Sequence, residues 1–137
     1  MGSSTHRPLV LVVEDEAIIA MGIEDDLSDA GYNIAGPFST SAEARSWLAS
    51  AKPAVAILDT ILRDGRCTEL AEELQRRGVP FVVYSGQNQR DKERLPAFEG
   101  APWIEKPAAH NEVLKVVAAL AKSGSYGEAF TGGSRLR

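Results

Sequence analysis

The chain has 137 residues, with 15 Lys and Arg against 19 Asp and Glu, one cysteine and 44% hydrophobic residues. That length suits a single domain, and that apolar share excludes wholesale disorder. The net charge of −4 argues against non-specific nucleic-acid binding, which draws on clustered Lys and Arg. The lone Cys67 excludes an intramolecular disulfide and a cysteine-based metal cluster. The unbroken apolar runs, Leu9 to Val13 among them, are far too short to insert across a bilayer, and Met1 to Arg7 lacks the apolar stretch of a signal peptide. A small soluble, cytoplasmic α/β domain is the expectation that remains.

Apolar runs suited to strands alternate with segments of helical period. Pro8 to Val13 is rich in β-branched residues and unbroken, as expected of a strand covered on both faces. Ile19, Ile23, Leu27 and Ala30 then recur at helical spacing, and Gly31 supplies a stop. Tyr32 to Ala35 reads as a short second strand followed by a loop at Gly36-Pro37. Thr40 to Glu43 has the form of a capping box, and Ala44, Trp47, Leu48 and Ala51 make one helical stripe. Pro53 ends that helix, and Ala54 to Leu58 is a third buried strand.

The stretch Asp59 to Arg66 reads as a loop with a turn at Asp64-Gly65. Leu70, Ala71 and Leu74 mark a third helix, closed by Gly78, and Pro80 to Tyr84 is a fourth strand. Gly86 to Pro102 is polar and broken by Pro96, Gly100 and Pro102, so any helix there is short. Trp103-Ile104 is a brief fifth strand, and Val113, Val116, Val117 and Leu120 give the last helical stripe. Ser123 to Arg137, rich in Gly and Ser, reads as a mobile tail.

Five strands separated by helices predict a parallel sheet with helices on both faces. In such sheets the chemistry lies beyond the carboxyl ends of the strands. Glu14 and Asp15 follow the first strand, Asp59 the third, Ser85 the fourth and Lys106 the fifth. Clustered carboxylates repel one another unless a cation shares them, and Mg²⁺ suits oxygen ligands. One carboxylate could then attack phosphorus, while Lys106, Ser85 and backbone N–H groups serve the phosphoryl oxygens. Taken singly, an Asp or Ser after a strand is ordinarily a helix N-cap and a lone Lys is ordinarily solvated. The conjunction at four strand ends carries the weight.

These residues resemble the receiver domain of two-component response regulators over Pro8 to Lys122. The matching pieces are Leu9 to Glu16, Ile57-Leu58-Asp59 with Asp64-Gly65 beyond it, Val83 to Gly86, and Glu105-Lys106-Pro107. The resemblance implies a flavodoxin-like, doubly wound sheet of strand order 2-1-3-4-5 with a short or irregular fourth helix. It implies that Asp59 is the phosphoacceptor and that Mg²⁺ is held by Glu14, Asp15, Asp59 and the backbone carbonyl of Ile61. Ser85 would be the switch hydroxyl, Trp103 the aromatic that rotates with it, and Lys106 the cation on the phosphate. A cis peptide before Pro107 belongs to the same pattern. Three positions depart from it: Arg63 replaces a usual proline, Ala108 a usual aromatic, and Gly86 a usual alanine. The Gly after the switch hydroxyl and the short fourth helix are similar to a subgroup of stand-alone receivers.

Other aspartate- or phosphate-based readings fit less well. A haloacid-dehalogenase-like phosphatase needs a second Asp where Ile61 stands, and no P-loop motif is present. A flavodoxin-like cofactor binder wants a hydroxyl-rich loop where Glu14-Asp15-Glu16 stands. A degenerate receiver, folded alike but never phosphorylated, is the strongest alternative. The expected organisation is an arm over residues 1–7, a receiver over 8–122 and a tail over 123–137. The function expected is a single-domain response regulator, self-phosphorylating but not otherwise an enzyme. Its partners would be a sensor histidine kinase or phosphotransfer protein and a downstream protein target, with kinase docking over the acidic first helix. His6, His110 and Cys67 carry no metal pattern, and Trp47 is expected in the core.

Overall fold

The computed structural model describes residues 7–86 and 96–123. Most of the expected arm and tail, His6, and residues 87–95 of the region assigned to a short fourth helix lie outside these described residues. In chain order the elements are β1 (Leu9–Val13), α1 (Ala17–Asp29), β2 (Asn33–Phe38), α2 (Ser41–Leu48), β3 (Val55–Leu58), β4 (Ile61–Leu62) and β5 (Gly65–Arg66). Then follow α3 (Thr68–Arg76), β6 (Phe81–Ser85), a 3₁₀ turn at Pro96–Phe98, β7 (Trp103–Glu105) and α4 (His110–Ser123).

Five strands form one parallel sheet in the order β2-β1-β3-β6-β7. Counting these five alone, the order is the expected 2-1-3-4-5. β1, β3 and β6 occupy its centre, and almost every residue in them is sealed from solvent. Alternate residues therefore face opposite layers. Leu11, Val13, Leu58, Phe81 and Val83 pack with Ala44 and Leu48 of α2 and with Leu70, Ala71 and Leu74 of α3. Val10, Val12, Ile57 and Val82 pack on the other face with Ile23 and Leu27 of α1 and with Val113, Val117 and Leu120 of α4. Each such leucine or valine is worth about 1.5–3 kcal/mol of apolar burial.

The helix boundaries follow local chemistry. The Thr40 hydroxyl caps α2 by accepting from the Glu43 N–H at 3.0 Å, while the Glu43 carboxylate reaches Ser39 N–H rather than Thr40. Gly31, at φ +96°, ends the turn after α1 where an L side chain would be strained.

The second strand corrects the sequence reading. It does not stop at Ala35 but runs through Gly36-Pro37 to Phe38, with a bulge that gives β2 one extra residue opposite Leu11–Val13. Gly36 makes this bulge feasible. Its φ is +103°, and a Cβ there would lie 2.6 Å from the Val12 carbonyl oxygen. Beyond the bulge, Glu14 N–H donates to Phe38 O at 2.8 Å, so the irregular edge strand fixes the backbone at the end of β1.

The expected loop over 59–66 is also more ordered than its sequence suggests. β4 and β5 form an antiparallel two-stranded ribbon turning at Arg63-Asp64. The Asp64 carboxylate accepts from Ser41 and Ala42 N–H at 2.9 and 3.1 Å, capping α2 from a distant part of the chain. Those backbone donors hold the Asp64 carboxyl below the usual carboxylate range.

Candidate functional site

The carboxyl ends of the central strands converge because parallel strands finish at one edge. β1 delivers Glu14 and Asp15 there, β3 delivers Asp59, β6 ends in Ser85, and Lys106 directly follows β7. Lys106 Nζ lies 3.0 Å from Glu14 Oε1, 3.0 Å from Asp59 Oδ2 and 3.4 Å from Glu16 Oε1. Its side chain is only 10% exposed, and those of Glu14 and Asp59 are 2% and 8% exposed. A single ammonium thus ties the acidic end of β1 to the acidic end of β3.

Backbone donors complete the arrangement. Ile61 N–H donates to Asp59 Oδ1 at 3.3 Å, and Glu16 N–H donates to Glu14 Oε2 at 3.1 Å. Burial lowers the ammonium's preference for charge, but hydrogen bonds to Glu14 and Asp59 outweigh it and raise the Lys106 pKa. Glu14 is dominated by burial, which pushes its carboxyl from 4.5 up to about 7 despite the nearby Lys106 and the Glu16 amide.

That shift has a sign that can be tested. A folded-state pKa raised above its unfolded value contributes stability below the unfolded pKa, lost as pH rises through the folded one. In metal-free protein, the stability of wild type relative to Glu14→Gln should therefore fall between pH 4.5 and about 7. The fall should be about 3 kcal/mol, measured by urea unfolding of both proteins. A difference flat across that range would contradict the assignment of burial as the dominant cause.

Oxygens of Glu14, Asp15 and Asp59 lie within 4.8 Å of one another, with Asp15 half-buried and the other two buried. Hard carboxylate donors crowded at this spacing suit an oxygen-preferring divalent cation and offer no soft ligand. Lys106 offsets part of the repulsion, leaving net negative charge among these groups.

The remaining sequence candidates fall as follows. Ile61 opens β4 beside Asp59. Trp103 is half-buried against the α2–α3 layer and meets Phe98 edge-on, with ring centroids 5.9 Å apart. The Lys106–Pro107 peptide is cis. Trp47 is half-buried and tilted against Phe38, and Cys67 is fully sealed just before α3.

Three features escaped the sequence reading. Glu16 joins the Lys106 cluster. The Tyr84 hydroxyl accepts from Ala108 N–H at 3.2 Å, and its ring centroid lies 5.8 Å from Lys106 Nζ. Thr60 and Ser85, both buried, share a hydrogen bond of 2.6 Å between their hydroxyls. Only the position of Thr60 next to Asp59 offered a signal for the last.

The profile of the response regulator receiver domain matches residues 10–118. The chain belongs to the response regulator receiver family. Receivers are signalling modules of two-component systems, which accords with an acidic pocket at this sheet edge. The chain is 31% identical over 112 residues to the transcriptional regulatory protein PdtaR of Mycobacterium tuberculosis, covering 79% of this chain and 54% of that protein. It thus spans about half the length of the curated relatives it matches. Among solved structures, SdrG of Sphingomonas melonis Fr1 is 36% identical with a TM-score of 0.69, covering 83% of this receiver and 96% of SdrG. A CheY-like receiver of Methanospirillum hungatei JF-1 shares the fold at a TM-score of 0.78 and 21% identity, covering 87% of this chain and 97% of that one. Among the described residues no helix is long and apolar enough to cross a membrane.

Proposed function

We propose that this receiver is a phosphorylation-operated switch of the cytoplasm that accepts a phosphoryl group on Asp59 and signals by binding partner proteins. The observation that carries the reading is Lys106 Nζ, held at 3.0 Å from Asp59 Oδ2 with the Glu14–Asp15–Asp59 oxygens beside it. Glu14, Asp15, Asp59 and the Ile61 backbone carbonyl would hold Mg²⁺. The bound ion would supply positive charge that offsets the carboxylates and an incoming phosphate. An Asp59 oxygen forms the new bond to phosphorus as the donor's bond to phosphorus breaks and its electron pair leaves with the donor. Lys106 stabilises charge on the equatorial phosphoryl oxygens and Ser85 donates to one of them. Movement of Ser85 opens room for Trp103, which links the phosphate to the α2–α3 face.

The donor would be a sensor histidine kinase or a phosphotransfer protein. A groove of about 230 Å³ between α1 and α4 favours docking there, lined by Ile18, Gly22, Tyr84, Ala108 and Leu114 among others. Ile18 is 85% exposed and Met21 61%, and Asp25 adds exposed charge on the same helix. Tyr84 also borders Lys106, so this groove adjoins the phosphoacceptor site.

Incubation with a small phosphodonor tests the reading without any partner. Wild type should incorporate one phosphoryl group, dependent on Mg²⁺ and labile to hydroxylamine as an acyl phosphate is. Asp59→Asn keeps the shape and removes the nucleophile, so incorporation should vanish. Undiminished labelling in Asp59→Asn would reject the assignment, and absence of labelling in wild type would favour a receiver that acts only as an interaction module.

A further inference from the structure

The hydroxyl of Ser85 is already engaged. Its Oγ lies 2.6 Å from Thr60 Oγ1, and the two residues are 1% and 2% exposed. Alternation along β6 puts Ser85 on the side of Val83, which packs in the α2–α3 layer with Leu58. Thr60 follows Leu58 by two residues and meets Ser85 on that same side. Its main chain is fixed as well, since the Thr60 carbonyl accepts from Cys67 N–H at 3.0 Å at the start of α3. The Asp59 carboxylate, one residue earlier, instead faces Lys106 and the Ile61 amide.

We propose that Thr60 is a positioning residue that holds the Ser85 hydroxyl on the α2–α3 side and opposes its transfer to a phosphoryl group on Asp59. This rests on the phosphoacceptor reading above and adds a residue that sets the balance of the switch. Phosphoryl oxygens only accept hydrogen bonds, so Ser85 must aim its single proton at them. In the resting pair, where either hydroxyl could donate, we take Ser85 as the donor to Thr60 Oγ1, so turning its proton to the phosphoryl group breaks that bond. The bond gained is charge-assisted and the bond lost is neutral, so phosphorylation wins, but against a standing competitor. A neutral buried hydrogen bond corresponds to about a fivefold factor in an equilibrium constant. Thr60 therefore lowers the population of the phosphoryl-engaged form by about that factor.

The test uses the whole chain, Mg²⁺ and fluoroberyllate, a non-covalent mimic of a phosphoryl group on a carboxylate, with binding followed by ¹⁹F NMR. Thr60→Val, which removes the hydroxyl while keeping the branched shape, should bind the mimic about fivefold more tightly than wild type. Thr60→Ser, which restores a hydroxyl, should return the affinity toward wild type. In a Ser85→Ala background the Thr60→Val change should have no effect, because no hydroxyl remains to hold. A purely structural role for Thr60 would move affinity equally in both backgrounds and would overturn the proposal. Unchanged or weakened binding in Thr60→Val, with wild type binding normally, overturns it too while leaving the phosphoacceptor reading intact. Failure of wild type itself to bind the mimic would reject both.

Discussion

Lys106→Met is expected to slow phosphoryl incorporation from a small donor by roughly 10²–10³-fold, the cost of removing one preorganised charge from a developing transition state. Methionine preserves length and apolar bulk, so the loss isolates the ammonium. The geometry explains the size of the effect. Lys106 is nearly sealed from water and contacts both Asp59 and Glu14 at 3.0 Å, so solvent cannot readily replace it. The variant's fold need not fail, because a buried carboxyl relieved of its cation can take up a proton, and Glu14 is already pushed up to about 7. Initial rates at saturating Mg²⁺ would measure the loss. A rate within threefold of wild type would show that Lys106 serves the resting carboxylates and not the transferred group.

Gly36→Ala should destabilise the protein by about 3–4 kcal/mol, combining a strained positive φ with an overlap that neither neighbour can relieve cheaply. The added Cβ would meet Val12 O at 2.6 Å and Phe38 N at 2.8 Å, both backbone atoms in the sheet. The effect should extend to the site, since the bulge places Phe38 O against Glu14 N–H. Urea unfolding gives the stability, and a Mg²⁺ titration of the variant below its unfolding transition gives the site's response. A loss under 1 kcal/mol would mean that β2 has another register available.

The central strands were legible because burial on both faces leaves an unbroken apolar run, as in Leu9–Val13 and Val55–Leu58. Helices α1, α3 and α4 were legible because one face of each is buried, which imposes a period on residues such as Leu70, Ala71 and Leu74. The edge strand β2 was cut short in the sequence reading because Gly36-Pro37 carries the composition of a turn. Only the partner strand, whose carbonyl excludes a Cβ, reveals that the glycine serves a bulge. The Asp64 cap on α2 joins segments more than 20 residues apart, which no local pattern encodes, and the β4–β5 ribbon has only two residues in each strand, too few to show a period.

The site was legible at the level of which residues reach the sheet edge, because strand ends and their following residues are adjacent in sequence. How those residues engage one another was not. Glu16 merely ends the acidic run that begins at Glu14, yet its carboxylate reaches Lys106 ninety positions away. Thr60 lies in the stretch that reads as a loop, yet its hydroxyl meets that of Ser85. Both relations depend on side-chain direction after the strands have paired, which composition and spacing do not fix.

Which carboxylate receives the phosphoryl group decides between a working phosphoacceptor and an acidic cluster that merely holds a cation. Borohydride reduction of the labelled wild-type protein converts an acyl phosphate to an alcohol and leaves free carboxylates untouched, so peptide mapping marks the residue. Reduction at Asp59 alone, and only in samples that contained Mg²⁺ and donor, is the expected result. Reduction at Glu14 or Asp15, or none after verified exposure to both reagents, would contradict it.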